Sequence, residues 1–511
     1  MTQNVKREFS KWRAFFWPVH GFELKKILPM FFMFFFISFN YTILRDTKDT
    51  LVVTSHAGAE AIPFLKFWGV LPAAIIFMLV YSKLSNMLSK PALFYTTIVP
   101  FLIFFGLFTT VIYPNRDALQ MDSLANIFKE MLPLGCHGLV ESIRAWHFSV
   151  FYILSELWGS VVLSLLFWGF ANDITKVGEA KRFYSLFAIG ANLALIVSGE
   201  AIVRVSDIRR FLPEGVDGWQ VSLNYLMAMV VVAGLAVIGF YYWINREVLT
   251  DARFYDPSEV KAKKSKPKMS IKESMLFLAR SPYLLCIAML VICYGVSINL
   301  VEVTWKKQLG FQFPDKNDYS SFMGRFSQTT GLVTILMSLF VGANAMRKGW
   351  GFAAMITPVV LLVTGVAFFS FIIWQDSLGS YIAAFGTTPL WMAVCFGWAQ
   401  NVMSKSAKYT LFDPTKEMTY IPLDPESKVK GKAAIDVVGA RLGKSGGSLV
   451  QQALMILCGA TSLMAITPYI AVILFAIIAI WIVSVRVLDK KFAQLTAEKS
   501  SHEGHKAASS T

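Results

Sequence analysis

Residues Ile27–Val53 read ILPMFFMFFFISFNYTILRDTKDTLVV. The run carries no charge until it ends in Arg45, Asp46, Lys48 and Asp49. A helix that crosses a bilayer core needs about 20 mostly apolar residues, so this stretch predicts a membrane span with charges held towards one end. A cleavable signal peptide does not fit. The run is too long, no small-residue cleavage site follows it, and a long basic lead precedes it with Lys6, Arg7, Lys11, Arg13, Lys25 and Lys26.

Working outward, the 511-residue chain is 55% hydrophobic and 16% charged, against about 45–50% and about 25% in soluble globular proteins. That surplus excludes an ordinary soluble enzyme and a disordered chain. Apolar runs predict twelve spans, at 27–53, 63–82, 92–113, 146–171, 183–203, 221–244, 282–305, 329–346, 350–374, 380–400, 433–459 and 465–487. The expected fold is therefore an all-α membrane protein with about twelve helices in two six-helix halves. Its expected parts are a lead at 1–26, halves at 27–244 and 282–487, a basic linker at 245–281 and a tail at 488–511 whose end is disordered. The formal charge is +15. Of the 48 Lys and Arg, 33 fall on the side of the N-terminus, ten on the other and five inside spans. Basic loops stay cytoplasmic, so both termini are expected in the cytoplasm. The basic balance thus reflects topology and anionic lipid rather than nucleic acid. The five Cys form no CxxC and four lie in apolar runs, which suggests neither a disulfide framework nor a zinc site.

Lys48 lies 22 residues after Lys26, and Glu302 lies 22 after Arg280. Charges at matching depths of spans one and seven suggest the two halves of a major-facilitator transporter. A charge inside a span costs about 2.5–3.5 kcal/mol on insertion scales, so each such residue is a candidate for function. Arg45 and Lys48 can share one helix face as a phosphate clamp, a fork plus a point charge. Arg45 and Asp49 are spaced to pair with each other. Glu156 sits near the middle of span four and must be protonated or paired with a cation, for which Arg45 or Lys48 is the obvious partner. Asn299 and Glu302 lie one turn apart near the end of span seven, where an interfacial role beside Trp305 and Lys306 is the plainer alternative. Arg441, Lys444, Ser448 and Gln451 are spaced 3, 4 and 3 along span eleven, which puts them on one face. No acid shares that face, so an anionic substrate or a carboxylate from another helix would balance it. Gly439–Lys444 imitates a P-loop, but its glycines are too close and no strand precedes it. Gly443, Gly446 and Gly447 suit close helix packing instead. No constellation of nucleophile and base is present, and no cofactor is called for.

Several charged strings are similar to those of the non-mitochondrial ATP/ADP translocases, nucleotide transporters of plastids and obligate intracellular bacteria. They are Asn40–Thr54, Glu156-Leu-Trp-Gly-Ser160, Phe170-Ala-Asn172-Asp173, Ala180-Lys-Arg-Phe-Tyr184 and Ala407–Pro422. The resemblance implies a major-facilitator-like fold, exchange of cytosolic ADP for external ATP, and transport roles for Lys48, Glu156, Glu302 and Lys444. It also implies a carrier in the inner membrane of an intracellular bacterium, acting as a monomer, with inorganic phosphate as a further possible cargo. Arg45, Lys48, Arg441 and Lys444 would come from opposite halves to make a polycationic central site. The segment 407–422 reads as a gate or a structural loop. A proton-coupled importer of nucleotides or another organic anion remains the alternative, and a channel or lipid-handling protein stays open as a further class.

Overall fold

The computed structural model describes residues 19–508 apart from 176, 252–253, 255–272, 274, 275, 277 and 279. Most of the basic linker therefore lies outside the described residues. The described residues form helices and no strand. Among the described residues, ten helices are long and apolar enough to cross a membrane. They are α1 (Gly21–Val53), α2 (Ala61–Met87), α3 (Lys90–Ile112), α4 (Trp146–Ile174), α5 (Arg182–Phe211), α6 (Gly218–Glu247), α7 (Pro282–Gln312), α8 (Lys316–Arg347), α9 (Trp350–Ile373) and α12 (Leu463–Glu498).

Between α9 and α12 run two further long helices, α10 (Pro389–Ala407) and α11 (Pro425–Leu457). Of the twelve expected spans, ten reach this length and apolarity among the described residues, and these two helices do not. The reason lies in what the other two helices bury. Gln400, Asn401 and Ser404 of α10, and Ser448 and Gln451 of α11, have no exposed surface. These helices are polar because protein, not lipid, surrounds that face.

The span expected at 380–400 is displaced as well. A separate helix, Gln375–Ala383, precedes a break, and α10 starts where Thr388 caps the backbone N–H of Trp391 with Pro389 in the first turn. α8 starts earlier than expected, at a cap where Asp315 accepts from the N–H groups of Asn317 and Asp318. At the other end of the chain, α12 continues as helix to Ala508 where a disordered end was expected. The Ala, Glu and Lys residues of that stretch favour helix.

Two large apolar clusters form the interior. One draws its buried residues from 19–254. The other draws on 278–488 together with Val52–Leu65 and Tyr152. In the first group, α1 packs between α5 and α6; in the second, α7 packs on α11 and α12. The groups meet at the side of the α1–α2 connection. There Gly199 of α5 lies on the backbone of Gly324 in α8, and Gln452 of α11 bonds Pro63 O and the Trp68 indole of α2.

Candidate functional site

α1 is set in place by its neighbours. Asn40 Nδ2 donates to Val230 O of α6 at 2.8 Å, and the Trp158 indole of α4 donates to Ile37 O at 3.1 Å. A Cβ on Gly159 would lie 2.6 Å from the Tyr41 ring, so only glycine lets α4 approach α1 this closely. The string Glu156-Leu-Trp-Gly-Ser160 thereby presents Glu156 to Lys48.

Those two residues belong to a chain of charges. Glu156 Oε1 is 3.0 Å from Lys48 Nζ, and Lys48 is 2.8 Å from Asp49 Oδ1. Asp49 Oδ2 is 2.8 Å from Lys306 Nζ of α7. Lys306 is 3.4 Å from Glu302, which is 3.2 Å from Lys405 of α10. Four helices, from both apolar groups, supply alternating signs. Lys48, Asp49 and Lys306 are no more than 2% exposed. Such groups are tolerable at membrane depth only because each has opposite charge on either side. Glu156, Glu302 and Lys405 keep 17–23% of their surface, so the two ends of the chain are only part-buried. Tyr152 lies under Lys48 at 3.9 Å and Phe326 under Lys405 at 4.7 Å.

Beside this chain, Arg45 Nε donates to Asp46 at 2.9 Å and Nη2 to Ser327 of α8 at 2.7 Å, while Ser327 donates to the same Asp46 carboxylate at 2.6 Å. The expected Arg45–Asp49 pairing gives way to Arg45–Asp46 and Lys48–Asp49. Partners on α7 and α8 draw the two aspartates to other sides of α1. Lys66, in a π-helical stretch of α2, is within electrostatic range of Glu302, Lys306, Glu156 and Lys48.

The structure thus brings together Arg45, Lys48, Glu156 and Glu302. Asn299 donates to Ser448 of α11 at 3.3 Å, and Gln451 donates to Leu300 O. Ser448 and Gln451 therefore face α7. Arg441 and Lys444 lie on the α11 backbone, but their side chains are outside the described residues. A Cβ on Gly295 would lie 2.6 Å from Gly443, and one on Gly447 would lie 2.9 Å from Asn299. These glycines serve close packing of α7 on α11, and the P-loop-like string is continuous helix. Charges of both signs, rather than cations alone, make up the described site.

Lys306 and Lys405 are the residues that sequence reasoning missed. Both fall beyond the expected spans, which end at 305 and 400. The i,i+4 spacing of Glu302 and Lys306 and the helix-start signal at Thr388-Pro389 would have drawn them inside. In the string 407–422, Lys408 pairs with Asp413 at 2.7 Å and Phe412 stacks on Tyr294. Arg182 of the string 180–184 clasps Glu23 with two bonds of 2.7 and 2.8 Å. These are structural ties.

Further out, Lys307 pairs with Glu60 at 2.8 Å, and Glu60 also accepts from Leu463 N. Gly58, at φ +62°, leaves room for that carboxylate. A cavity of about 310 Å³ opens here, lined by Thr54, His56, Glu60, Lys307, Phe311 and Ser462 among others.

A helical membrane protein with paired charges buried between two apolar groups has the build of a secondary transporter. Two solved structures share the fold. A bacterial homologue of the iron transporter ferroportin, inward-facing, matches with TM-score 0.54 and 12% identity over 92% of this chain and 100% of that one. A bacterial homologue of the lysosomal transporter Spinster, inward-facing, matches with TM-score 0.51 and 10% identity over 91% and 97%. The family model described as TLC ATP/ADP transporter matches residues 2–492, and the chain belongs to that family. It is 58% identical to ADP,ATP carrier protein 1 of Chlamydia trachomatis over 99% of this chain and 96% of that one. With the chloroplastic ADP,ATP carrier protein 1 of Arabidopsis thaliana the figure is 53%, over 95% and 77%. With ADP,ATP carrier protein 1 of Rickettsia bellii it is 44%, over 97% and 98%.

Proposed function

We propose that this protein exchanges ATP for ADP across a membrane by alternating access, with the phosphate chain bound at the charge chain between its two halves. The observation that carries this reading is Lys48. It is buried in α1, held by Asp49 and Glu156, and continuous with charges of the second apolar group. A phosphate chain reaching the part-buried ends of the chain would compete with Glu156 and Glu302 for Lys48 and Lys405, and Arg45 would add a fork. Internal carboxylates that reclaim the cations keep binding weak enough for release. No bond of the nucleotide breaks, so no nucleophile is required. Rocking of the 27–244 half against the 282–487 half would carry the site from side to side. Lys444 and Arg441 join the site in this reading, and Asn299 positions α11.

The carrier is expected as a monomer in the inner membrane of an intracellular bacterium, with both termini cytoplasmic. The 33-to-10 asymmetry of Lys and Arg supports that orientation. It also puts the α1–α2 connection outside, so contacts between the halves close the outer side. Inorganic phosphate is a second candidate cargo, and anionic lipid is the expected partner of the basic linker.

Transport in proteoliposomes with graded internal ADP, including none, and with or without an imposed pH gradient, tests the reading against proton-coupled import. Uptake that follows the internal ADP and ignores the gradient supports exchange. Uptake that follows the gradient in vesicles without nucleotide refutes it.

A further inference from the structure

An exchanger must not reorient when empty, so something in the empty state has to hold the halves together until substrate arrives. Several ties join them on the closed side. Glu60–Lys307, and Arg209 with Asp315 and Asp318, lie at the rim, where Lys307, Arg209 and both aspartates keep part of their surface exposed. Asp49–Lys306 differs. It links α1 to α7 at 2.8 Å, both groups are buried, and each is bonded onward, Asp49 to Lys48 and Lys306 to Glu302. Disturbing the chain at either end therefore reaches this pair.

Consider a polyphosphate arriving at Lys48 and Lys405. Its charge repels Glu156 and Glu302. Lys306, 3.4 Å from Glu302, is then the next cation in line. A ligand can shift a conformational equilibrium only by binding one state better than another. A lysine tied to Asp49 in the closed state and free for phosphate in the rearranged one supplies that difference.

Building on the nucleotide reading above, we infer that Lys306 is a phosphate-binding residue whose partner in the empty carrier is Asp49. The Asp49–Lys306 pair is thus a latch that the substrate's own phosphates release. The step is an exchange of ion-pair partners with no change in bonding or protonation. Asp49, having lost Lys306, keeps Lys48.

The two latch residues have different roles, and this makes the inference testable. Lys306 acts as latch and ligand; Asp49 acts as latch only, and it competes with phosphate. Efflux of radiolabelled ADP from loaded proteoliposomes is measured into medium with or without ATP, for wild type, Lys306→Gln and Asp49→Asn. Nucleotide-free efflux should rise in both variants. ADP affinity should fall about ten-fold or more in Lys306→Gln, the scale of one charged hydrogen bond, and should hold or tighten in Asp49→Asn. Variants as tightly coupled as wild type, or equal affinity changes in the two, overturn the latch. If neither variant assembles, wild type carries the test through hydrogen exchange. ADP, but not adenosine, should speed exchange in segments 54–60 and 307–314, and no ADP-dependent change there overturns the inference. A wild type whose ADP efflux ignores external ATP would instead refute the exchange reading itself.

Discussion

Replacing Lys48 by Ala removes the cation at the centre of the site, and the structure separates what that costs the fold from what it costs binding. Lys48 Nζ touches Asp49 at 2.8 Å and Glu156 at 3.0 Å. Breaking a buried ion pair costs about 3–5 kcal/mol, because the partner is left uncompensated. Here Asp49 retains Lys306, and Glu156 keeps 23% of its surface in contact with solvent. The cost should therefore sit near the lower figure. Losing a charged hydrogen bond to phosphate should cost a further 1.5–3 kcal/mol, roughly, or about ten- to a hundred-fold in affinity. Adding Glu156→Gln to Lys48→Ala removes the negative charge that Lys48 balances. The double variant should thus regain much of the thermal stability without regaining ATP affinity. Binding of ATP, ADP and adenosine to purified protein, with melting temperatures measured in parallel, reads both terms. Equal affinity losses for ATP and adenosine would make Lys48 a structural residue. So would a double variant whose ATP affinity recovers with its stability.

Other expectations follow from single contacts. Arg45→Lys should lower ATP affinity although charge is kept, because an ammonium cannot reproduce the two directed bonds to Asp46 and Ser327; wild-type binding would exclude Arg45 from the site. Glu156→Gln alone should fold normally and change the exchange rate or its pH dependence, and unaltered kinetics across pH would refute a role for it in turnover. Gly397→Ala should destabilise by about 1–3 kcal/mol, since its Cβ would lie 2.2 Å from the Trp305 ring; an unchanged melting temperature would contradict that packing. Lys444→Ala should lose ATP affinity much as Lys48→Ala does, and normal binding would remove α11 from the phosphate site.

The helices were legible because lipid imposes a long apolar run on any segment it surrounds. The same rule failed at α10 and α11, where protein neighbours permit buried Gln, Asn and Ser. Lys48 and Glu156 were legible as costly charges in need of partners, and they found each other. Pairing along α1 was not, since i,i+4 spacing cannot register Ser327 or Lys306 pulling from other helices. Lys405 was hidden by a helix boundary. The expected span ended at 400, whereas the Thr388-Pro389 start carries α10 on to Ala407. The idea of a purely cationic site failed for a related reason. Its counter-charges Asp46 and Asp49 lie in the same quoted run, but spacing along α1 offers Asp49 only to Arg45 and leaves Asp46 without a role.

The central claim is nucleotide exchange at this charge chain, and one measurement meets it most directly. Radiolabelled ATP is offered to proteoliposomes of the purified protein, either preloaded with ADP or empty. The account predicts rapid uptake with ADP inside, little without it, and loss of the ADP-dependent part in Lys48→Ala. Equal uptake by loaded and empty vesicles would contradict it.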